Sequence, residues 1–134
     1  MTKLRILVAE DEPLISMMLV EMLEAMGHVV CASSWTEVET VKAALAVKPD
    51  LMIVDARLST GSGVAAVATI LTHGFVPHIF ASGDILRDDT LSPRAVTIRK
   101  PYRESDLADA IRRAFQPPPK VQAEFVPIEG SKTC

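Results

Sequence analysis

The sequence predicts a doubly wound α/β domain, in which helices cover both faces of a five-stranded parallel sheet. Two observations lead to this prediction. Short apolar runs, each the length of a buried strand, alternate along the chain with longer segments of helical periodicity. Apolar residues make up 49% of the 134 residues, which is enough to bury a sheet on both faces. Strict alternation of this kind favours right-handed crossovers and therefore parallel strands.

The first strand and the first helix are predicted from residues 4–26. Residues 4–8 are apolar apart from Arg5 and are followed by charged residues and Pro13, as expected for a buried strand that ends in a loop. Pro13 suits the first helical turn, and Gly27 suits the helix end. Between them, apolar residues recur at helical spacing, which predicts a helix over 14–26 with a core-facing stripe of Leu14, Ile15, Met18, Leu19, Met22, Leu23 and Met26.

Residues 28–54 predict a strand, a helix and another strand. The second strand is expected at 28–32. Ser34 is followed three residues later by Glu37, which matches a capping box, so a helix is predicted from there until Pro49. Residues 51–54 are apolar throughout and are typical of a third, buried strand, which ends at Asp55.

The second half of the chain repeats the same alternation. A loop rich in Ser, Thr and Gly leads into a helix predicted over 64–73, and a fourth strand is expected at 78–81. Residues 82–93 have few apolar anchors and are predicted to form a weak or short helix. A fifth strand follows at 95–98, and an amphipathic helix at 104–115 completes the domain.

The chain divides into one domain and a tail. We assign residues 1–116 to the α/β domain. Residues 117–134 open with three consecutive prolines and contain no sustained apolar period, so we expect a disordered, proline-rich tail that is too short for an output domain.

Composition excludes several classes of protein. Asp and Glu outnumber Lys and Arg by 17 to 14, which argues against nucleic acid as a partner, because binding it requires clustered basic residues. Cys31 and Cys134 provide neither a disulfide framework nor a metal pair. The sequence contains no signal-peptide pattern, and no apolar stretch reaches the roughly 20 residues that span a bilayer. We therefore expect a soluble, cytoplasmic protein with no membrane partner.

The candidate functional residues follow the predicted strands. The carboxyl ends of parallel strands meet at one edge of a doubly wound sheet, where such folds bind their ligands. The residues expected there are Glu10, Asp11, Asp55, Ser82 and Lys100. Three carboxylates at one edge repel each other, so a divalent cation, a fixed lysine or protonation must compensate their charge. Oxygen ligands without His or Cys favour Mg²⁺ among the metals.

Four segments together resemble bacterial response-regulator receiver domains in order and spacing. They are the stretch from Ile6 to Pro13 with Glu10-Asp11-Glu12, the stretch Leu51-Met-Ile-Val-Asp55, the stretch Phe80-Ala81-Ser82-Gly83 and the pair Lys100-Pro101. The resemblance covers about residues 3–116. It implies a flavodoxin-like, CheY-like fold with strand order 2-1-3-4-5.

The resemblance also implies roles for the residues at the sheet edge. Asp55 would accept a phosphoryl group from a sensor histidine kinase or a phosphotransfer protein. Mg²⁺ would be bound by Glu10, Asp11, Asp55 and the backbone carbonyl of Arg57. Ser82 would donate a hydrogen bond to the acyl phosphate, and Lys100 would pair with it. The chain would be no enzyme beyond its own phosphorylation and dephosphorylation, and its first helix would contact the kinase.

The sequence departs from the common receiver pattern in two places. Receivers usually carry an aromatic residue three positions before the lysine, but this chain has Thr97 there. Together with Phe80-Ala81-Ser82-Gly83, this resembles the single-domain receivers called FATGUY, which partner HWE-type histidine kinases and usually have Thr where this chain has Ser82. Arg57, two residues after the acceptor, is also unusual, and we expect its long cation to alter the dephosphorylation rate.

Three other classes of protein compete with this interpretation. A phosphohydrolase of the haloacid dehalogenase type needs a second Asp where this chain has Arg57. A nucleotide-binding or flavin-binding module needs a Gly-rich loop where this chain has Glu10-Asp11-Glu12-Pro13. The strongest alternative is a receiver-like module that binds proteins without phosphorylation. We expect a monomer or weak dimer, and the downstream protein partner stays open.

Overall fold

The computed structural model describes residues 2–86 and 91–116, so the predicted tail lies outside the described residues. The described part contains five strands and four helices. In chain order they are β1 (Arg5–Ala9), α1 (Pro13–Ala25), β2 (Val29–Ser34), α2 (Glu37–Val47), β3 (Leu51–Asp55), α3 (Gly63–Leu71), β4 (His78–Ser82), β5 (Val96–Arg99) and α4 (Glu104–Ala114). None of these helices is long and apolar enough to cross a membrane.

The strands form one parallel sheet in the order β2-β1-β3-β4-β5, which confirms the predicted fold class. The direction of winding reverses between β1 and β3, which are neighbours in the sheet. Ala9 at the end of β1 pairs with Val54 in β3, so the residues that follow them lie side by side. A doubly wound sheet binds ligands at this point, where the connections diverge to opposite faces.

The core consists of two apolar layers, one on each face of the sheet. Alternate residues of β1 point to opposite faces, because side chains in a strand alternate. Ile6 and Val8 pack with α1 and α4, whereas Leu7 and Ala9 pack with α2 and α3. All five residues of the central strand β3 are buried, as expected for a strand covered on both faces.

The helix α1 buries a narrower stripe than its sequence predicts. Leu19 and Leu23 are buried as expected, but Leu14 and Met18 are 62% and 53% exposed. Buried Ser16 occupies part of the surface that faces the sheet. The apolar arc of α1 is therefore wider than its contact with the sheet, and its outer part faces solvent.

The start of α2 differs from the predicted capping box. Ser34 is the last residue of β2 and is buried, and its hydroxyl lies 2.7 Å from the hydroxyl of Thr40. The N-cap is Thr36, whose side chain accepts a hydrogen bond from the Glu39 backbone N–H at 3.1 Å. Ser34 cannot cap the helix because the sheet extends two residues further than the apolar run indicates.

The helix predicted over 82–93 is wrong for the residues that the structure describes. Residue 82 ends β4, and residues 83–86 and 91–93 form bends and a turn without a helical segment. Residues 87–90 lie outside the described residues. Leu86 and Leu91, on either side of residues 87–90, still pack against the core layer beneath α2 and α3.

His78 is fully buried at the start of β4 and has an unsatisfied ring nitrogen. Its Nδ1 lies 2.8 Å from the carbonyl of Val76, which requires Nδ1 to carry the proton. The Nε2 atom has no hydrogen-bond partner among the described residues. The ring packs between Phe75 and Phe80, with centroid distances of 5.8 and 5.5 Å. Burial lowers the pKa of His78, because the charged ring would lose its hydration.

We expect the domain to lose stability in mild acid because of His78. The unfolded chain binds a proton near pH 6.5, whereas the folded chain binds it only at lower pH. Between these two pKa values the free energy of unfolding should fall by up to about 1.4 kcal/mol for each pH unit. Urea unfolding at pH 7.5 and 5.5 measures this loss. His78→Phe should reduce it, whereas His73→Gln, at an exposed histidine, should leave it unchanged; equal slopes in both variants would contradict the assignment.

Candidate functional site

The carboxyl edge of the sheet brings together acidic residues from two neighbouring strands. Glu10 and Asp11 follow β1, and Asp55 ends β3. One carboxylate oxygen from each of the three lies within 4.8 Å of the others. Glu10 and Asp55 are buried, whereas Asp11 is half-exposed, so the cluster opens toward solvent on one side. The β1–β3 pairing therefore produces the juxtaposition expected from the strand ends.

Lys100 follows β5 and reaches back to this cluster. Its Nζ lies 2.8 Å from Asp55 Oδ2 and 2.9 Å from Glu10 Oε1. Burial opposes the charge of Lys100, but its hydrogen bonds to Asp55 and Glu10 outweigh this and raise its pKa. The sequence left open whether a divalent cation, a fixed lysine or protonation compensates the charge of the carboxylates. The structure shows the lysine at this position. A single ammonium group neutralises part of the charge and leaves the cluster negative.

The two carboxylates that contact Lys100 are also held by backbone groups. The Arg57 N–H donates to Asp55 Oδ1 at 3.1 Å, and the Glu12 N–H donates to Glu10 Oε2 at 3.1 Å. Burial raises the pKa of Glu10, although the hydrogen bonds from Lys100 and the Glu12 backbone offset part of the effect. Both carboxylate oxygens of Asp55 are therefore held by hydrogen bonds, one from the Arg57 backbone and one from Lys100.

Ser82 ends β4 beside this cluster and is largely buried. Its hydroxyl accepts a hydrogen bond from the Asp84 N–H at 3.0 Å. Its carbonyl accepts the Lys100 N–H at 2.9 Å, so β4 and β5 place Ser82 and Lys100 in fixed register. The Lys100–Pro101 peptide bond is cis.

The donor set of the cluster fits a small divalent cation. Its side chains offer only carboxylate oxygens, which Mg²⁺ and similar hard ions prefer. The acidic cluster at Glu10, Asp11 and Asp55 could therefore bind Mg²⁺. Such an ion would supply the positive charge that Lys100 alone does not provide.

Sequence reasoning missed two residues around this edge. Asp84 holds Ser82 through its N–H, and its carboxylate lies 3.9 Å from the Arg57 guanidinium, where both side chains are highly exposed. Arg57 thus points along the rim of the site toward Asp84.

The second residue is Tyr102, which follows Lys100 and Pro101. Burial, with the charge of Glu10 as a smaller cause, raises the pKa of Tyr102 to about 12. In the sequence, only the positions of Asp84 and Tyr102, each two residues after Ser82 or Lys100, could have indicated that they lie near the site.

An apolar groove runs from this site along α1. Its volume is about 340 Å³, and it is lined by Ile15, Met18, Met22, Lys100, Pro101 and Tyr102. Lys100 belongs to both the groove and the acidic cluster. A molecule in the groove would therefore contact Lys100, whose ammonium group bonds to Asp55.

Two curated proteins are similar to most of this chain. The transcriptional regulatory protein PdtaR of Mycobacterium tuberculosis is 32% identical over 114 residues, which cover 82% of this chain and 56% of PdtaR. The phyllosphere-induced regulator PhyR of Methylorubrum extorquens is 37% identical over 115 residues, which cover 82% of this chain and 43% of PhyR. This chain spans about half the length of these curated relatives.

The fold and the family agree with these similarities. The solution NMR structure of the receiver domain of PhyR from Erythrobacter litoralis has a TM-score of 0.75 and 33% identity, covering 87% of this chain and 95% of that one. The family profile described as the response regulator receiver domain matches residues 6–112, which include Glu10, Asp11, Asp55, Ser82 and Lys100. The chain belongs to the response regulator receiver domain family.

Proposed function

We propose that this chain accepts a phosphoryl group on Asp55 from a sensor histidine kinase or a phosphotransfer protein, in a Mg²⁺-dependent reaction, and thereby switches its protein interactions. The observation that carries the proposal is the environment of Asp55. Its carboxylate faces Lys100 on one oxygen and the Arg57 N–H on the other, beside the carboxylates of Glu10 and Asp11. A nucleophilic carboxylate, a metal site and a fixed cation are the parts that phosphoryl transfer requires.

The transfer itself forms one bond and breaks one. An Asp55 oxygen attacks the phosphorus in line, and the bond from phosphorus to the donor imidazole nitrogen breaks, leaving its electron pair on the ring. Mg²⁺, when bound by Glu10, Asp11, Asp55 and the Arg57 carbonyl, would supply positive charge to the phosphoryl oxygens. Lys100, which contacts both Asp55 and Glu10, would pair with the product phosphate. The chain would catalyse only its own phosphorylation and dephosphorylation.

Ser82 offers a route from the phosphate to the surface. Its hydroxyl can donate to a phosphoryl oxygen, and a shift of Ser82 would also move Asp84, whose N–H it holds. The fifth strand has Thr97 in place of an aromatic residue, so an aromatic side chain at that position cannot report the change. We infer that the connection after Ser82 carries the signal.

The groove beside α1 supports a protein as the phosphoryl donor. Leu14, Met17 and Met18 on α1 are more than half exposed, and Met18 and Lys100 both line the groove. Apolar surface next to the acceptor can hold a donor helix while its phosphohistidine reaches Asp55. We propose this face for the kinase or phosphotransfer protein.

Phosphorylation of Asp55 can be tested with a small donor. We expect incubation with acetyl phosphate and Mg²⁺ to add a single phosphoryl group, detected by intact-mass spectrometry, and Asp55→Asn or removal of Mg²⁺ to abolish it. Asp50→Asn is the matched control, because Asp50 directly precedes the same strand at its opposite end. Absence of an adduct with every donor would contradict the proposal and leave the receiver-like module that binds proteins without phosphorylation.

A further inference from the structure

Glu37, in the first turn of α2, binds the loop that follows the phosphoacceptor strand. Its Oε1 accepts a hydrogen bond from the Ser62 N–H at 2.9 Å, and its own N–H donates to the Thr60 carbonyl at 3.0 Å. Thr36 and Thr60 form an isolated parallel bridge at the same place. A side-chain hydrogen bond and a backbone bridge therefore fasten the loop between β3 and α3 to the start of α2.

The loop is shaped to receive the Glu37 side chain. Gly61 has a φ of +86°, and a Cβ at this residue would lie 2.5 Å from Glu37 Oε1 and 2.6 Å from Glu37 Cβ. Only glycine combines this backbone conformation with so close an approach. Ser62 then caps α3 by accepting the Ala65 N–H, while Glu37 takes the N–H of Ser62 itself.

The β3–α3 loop also folds back on the two residues that directly follow Asp55. Ser62 forms an isolated antiparallel bridge with Arg57, and the Gly63 N–H donates to the Ala56 carbonyl at 3.0 Å. The Arg57 N–H donates to Asp55. The Glu37 carboxylate therefore connects to Arg57 through Ser62, and the Arg57 carbonyl is the proposed fourth metal ligand.

We propose that Glu37 is a positioning residue for the metal site: its carboxylate fixes the β3–α3 loop so that the Arg57 carbonyl faces the acidic cluster. The inference rests on the proposed Mg²⁺-dependent function. Loss of a group that orients a metal ligand typically weakens metal affinity by about 10-fold or more. Without the Glu37 carboxylate the loop keeps its backbone bonds but loses the hydrogen bond that holds the Ser62 N–H, so the Arg57 carbonyl is held less firmly.

The test compares Mg²⁺ affinity among four proteins by isothermal titration calorimetry. We expect Glu37→Ala to bind Mg²⁺ about 10-fold more weakly than the wild-type chain. Glu37→Gln keeps an oxygen at the same position and should recover most of that loss. Glu39→Ala is the matched control, because Glu39 lies in the same helical turn and accepts the Trp35 N–H at 3.1 Å without contacting the β3–α3 loop.

The rate of phosphorylation separates positioning from general destabilisation. With acetyl phosphate as donor, Glu37→Ala should need about 10-fold more Mg²⁺ for half its maximal rate but should approach the wild-type rate at saturating Mg²⁺. Wild-type Mg²⁺ affinity in Glu37→Ala, or an equal loss in Glu39→Ala, would overturn the inference. A wild-type chain that binds Mg²⁺ but accepts no phosphoryl group would overturn the proposed phosphorylation, while the four affinities would still decide the role of Glu37.

Discussion

Replacing Lys100 with methionine is expected to lower the free energy of unfolding by about 3 kcal/mol, because it leaves two carboxylates close together without their cation. Lys100 Nζ lies within 2.9 Å of both Glu10 and Asp55, and the Glu10 side chain is only 2% exposed. A buried carboxylate that loses its partner keeps its desolvation cost and gains repulsion from its neighbour. Methionine retains most of the aliphatic length of lysine, so the loss of charge dominates.

Urea unfolding of Lys100→Met against the wild-type chain measures this loss. Adding Mg²⁺ should restore part of the stability of Lys100→Met, since a divalent cation at the cluster replaces the missing charge. The double variant Lys100→Met with Glu10→Gln should recover part of the loss as well, because one of the two unpaired charges is gone. Lys42→Met, at an exposed lysine of α2, is the control and should unfold like the wild-type chain. Unchanged stability of Lys100→Met would contradict this view of the site.

Gly63→Ala is expected to destabilise the domain by about 3 kcal/mol or more, since the added methyl group has no space. A Cβ on Gly63 would lie 1.9 Å from the backbone oxygen of Asp55 and 2.7 Å from a methyl group of Val54. Neither neighbour can yield easily, because Val54 and Asp55 belong to the central strand β3. The start of α3 must therefore move away from the sheet, and the loop that carries Arg57 moves with it.

Thermal unfolding measures the effect of Gly63→Ala, with an expected fall in melting temperature of about 10 °C for a domain of this size. Gly83→Ala is the matched control, because a Cβ at Gly83 meets nothing within 4 Å and its φ is not in the positive range. A Gly63→Ala protein that melts with the wild type would show that α3 does not require this close approach. The same variant should also phosphorylate poorly with acetyl phosphate, because its acceptor loop is displaced.

Local sequence patterns predicted strands and helices well where the apolar period was strong. The third strand, expected at 51–54, is Leu51–Asp55, and the last helix, expected at 104–115, is Glu104–Ala114. Patterns failed where tertiary contacts decided the outcome. Ser34 and Glu37 look like a capping box, yet β1 pairs with Ser34 and the β3–α3 loop takes Glu37. Residues 82–93 contain too few apolar residues for their spacing to distinguish a helix from a loop.

The sequence predicted some features of the candidate site but not others. Its acidic members follow apolar runs that any parallel sheet must bury, so their convergence at one edge could be predicted from strand order alone. Lys100 could be placed at that edge, but not its position between Glu10 and Asp55, which are 90 and 45 residues away in sequence. The exposure of Leu14 and Met18 on α1 could not be predicted either. Helical periodicity shows that a face is apolar but not how much of that face packs against the sheet.

Short-range periodicity and the strand ends were enough to predict the parallel α/β fold class and the edge of the sheet at which Glu10, Asp11, Asp55, Ser82 and Lys100 lie. The strand order followed instead from the resemblance to receiver domains. The packing of the folded chain sets which carboxylates share the Lys100 ammonium group and which loop Glu37 holds. Those choices depend on contacts such as Glu37 to Ser62, which join residues 25 positions apart. No local pattern specifies such contacts, because their geometry arises only when α2 and the β3–α3 loop pack side by side over the sheet.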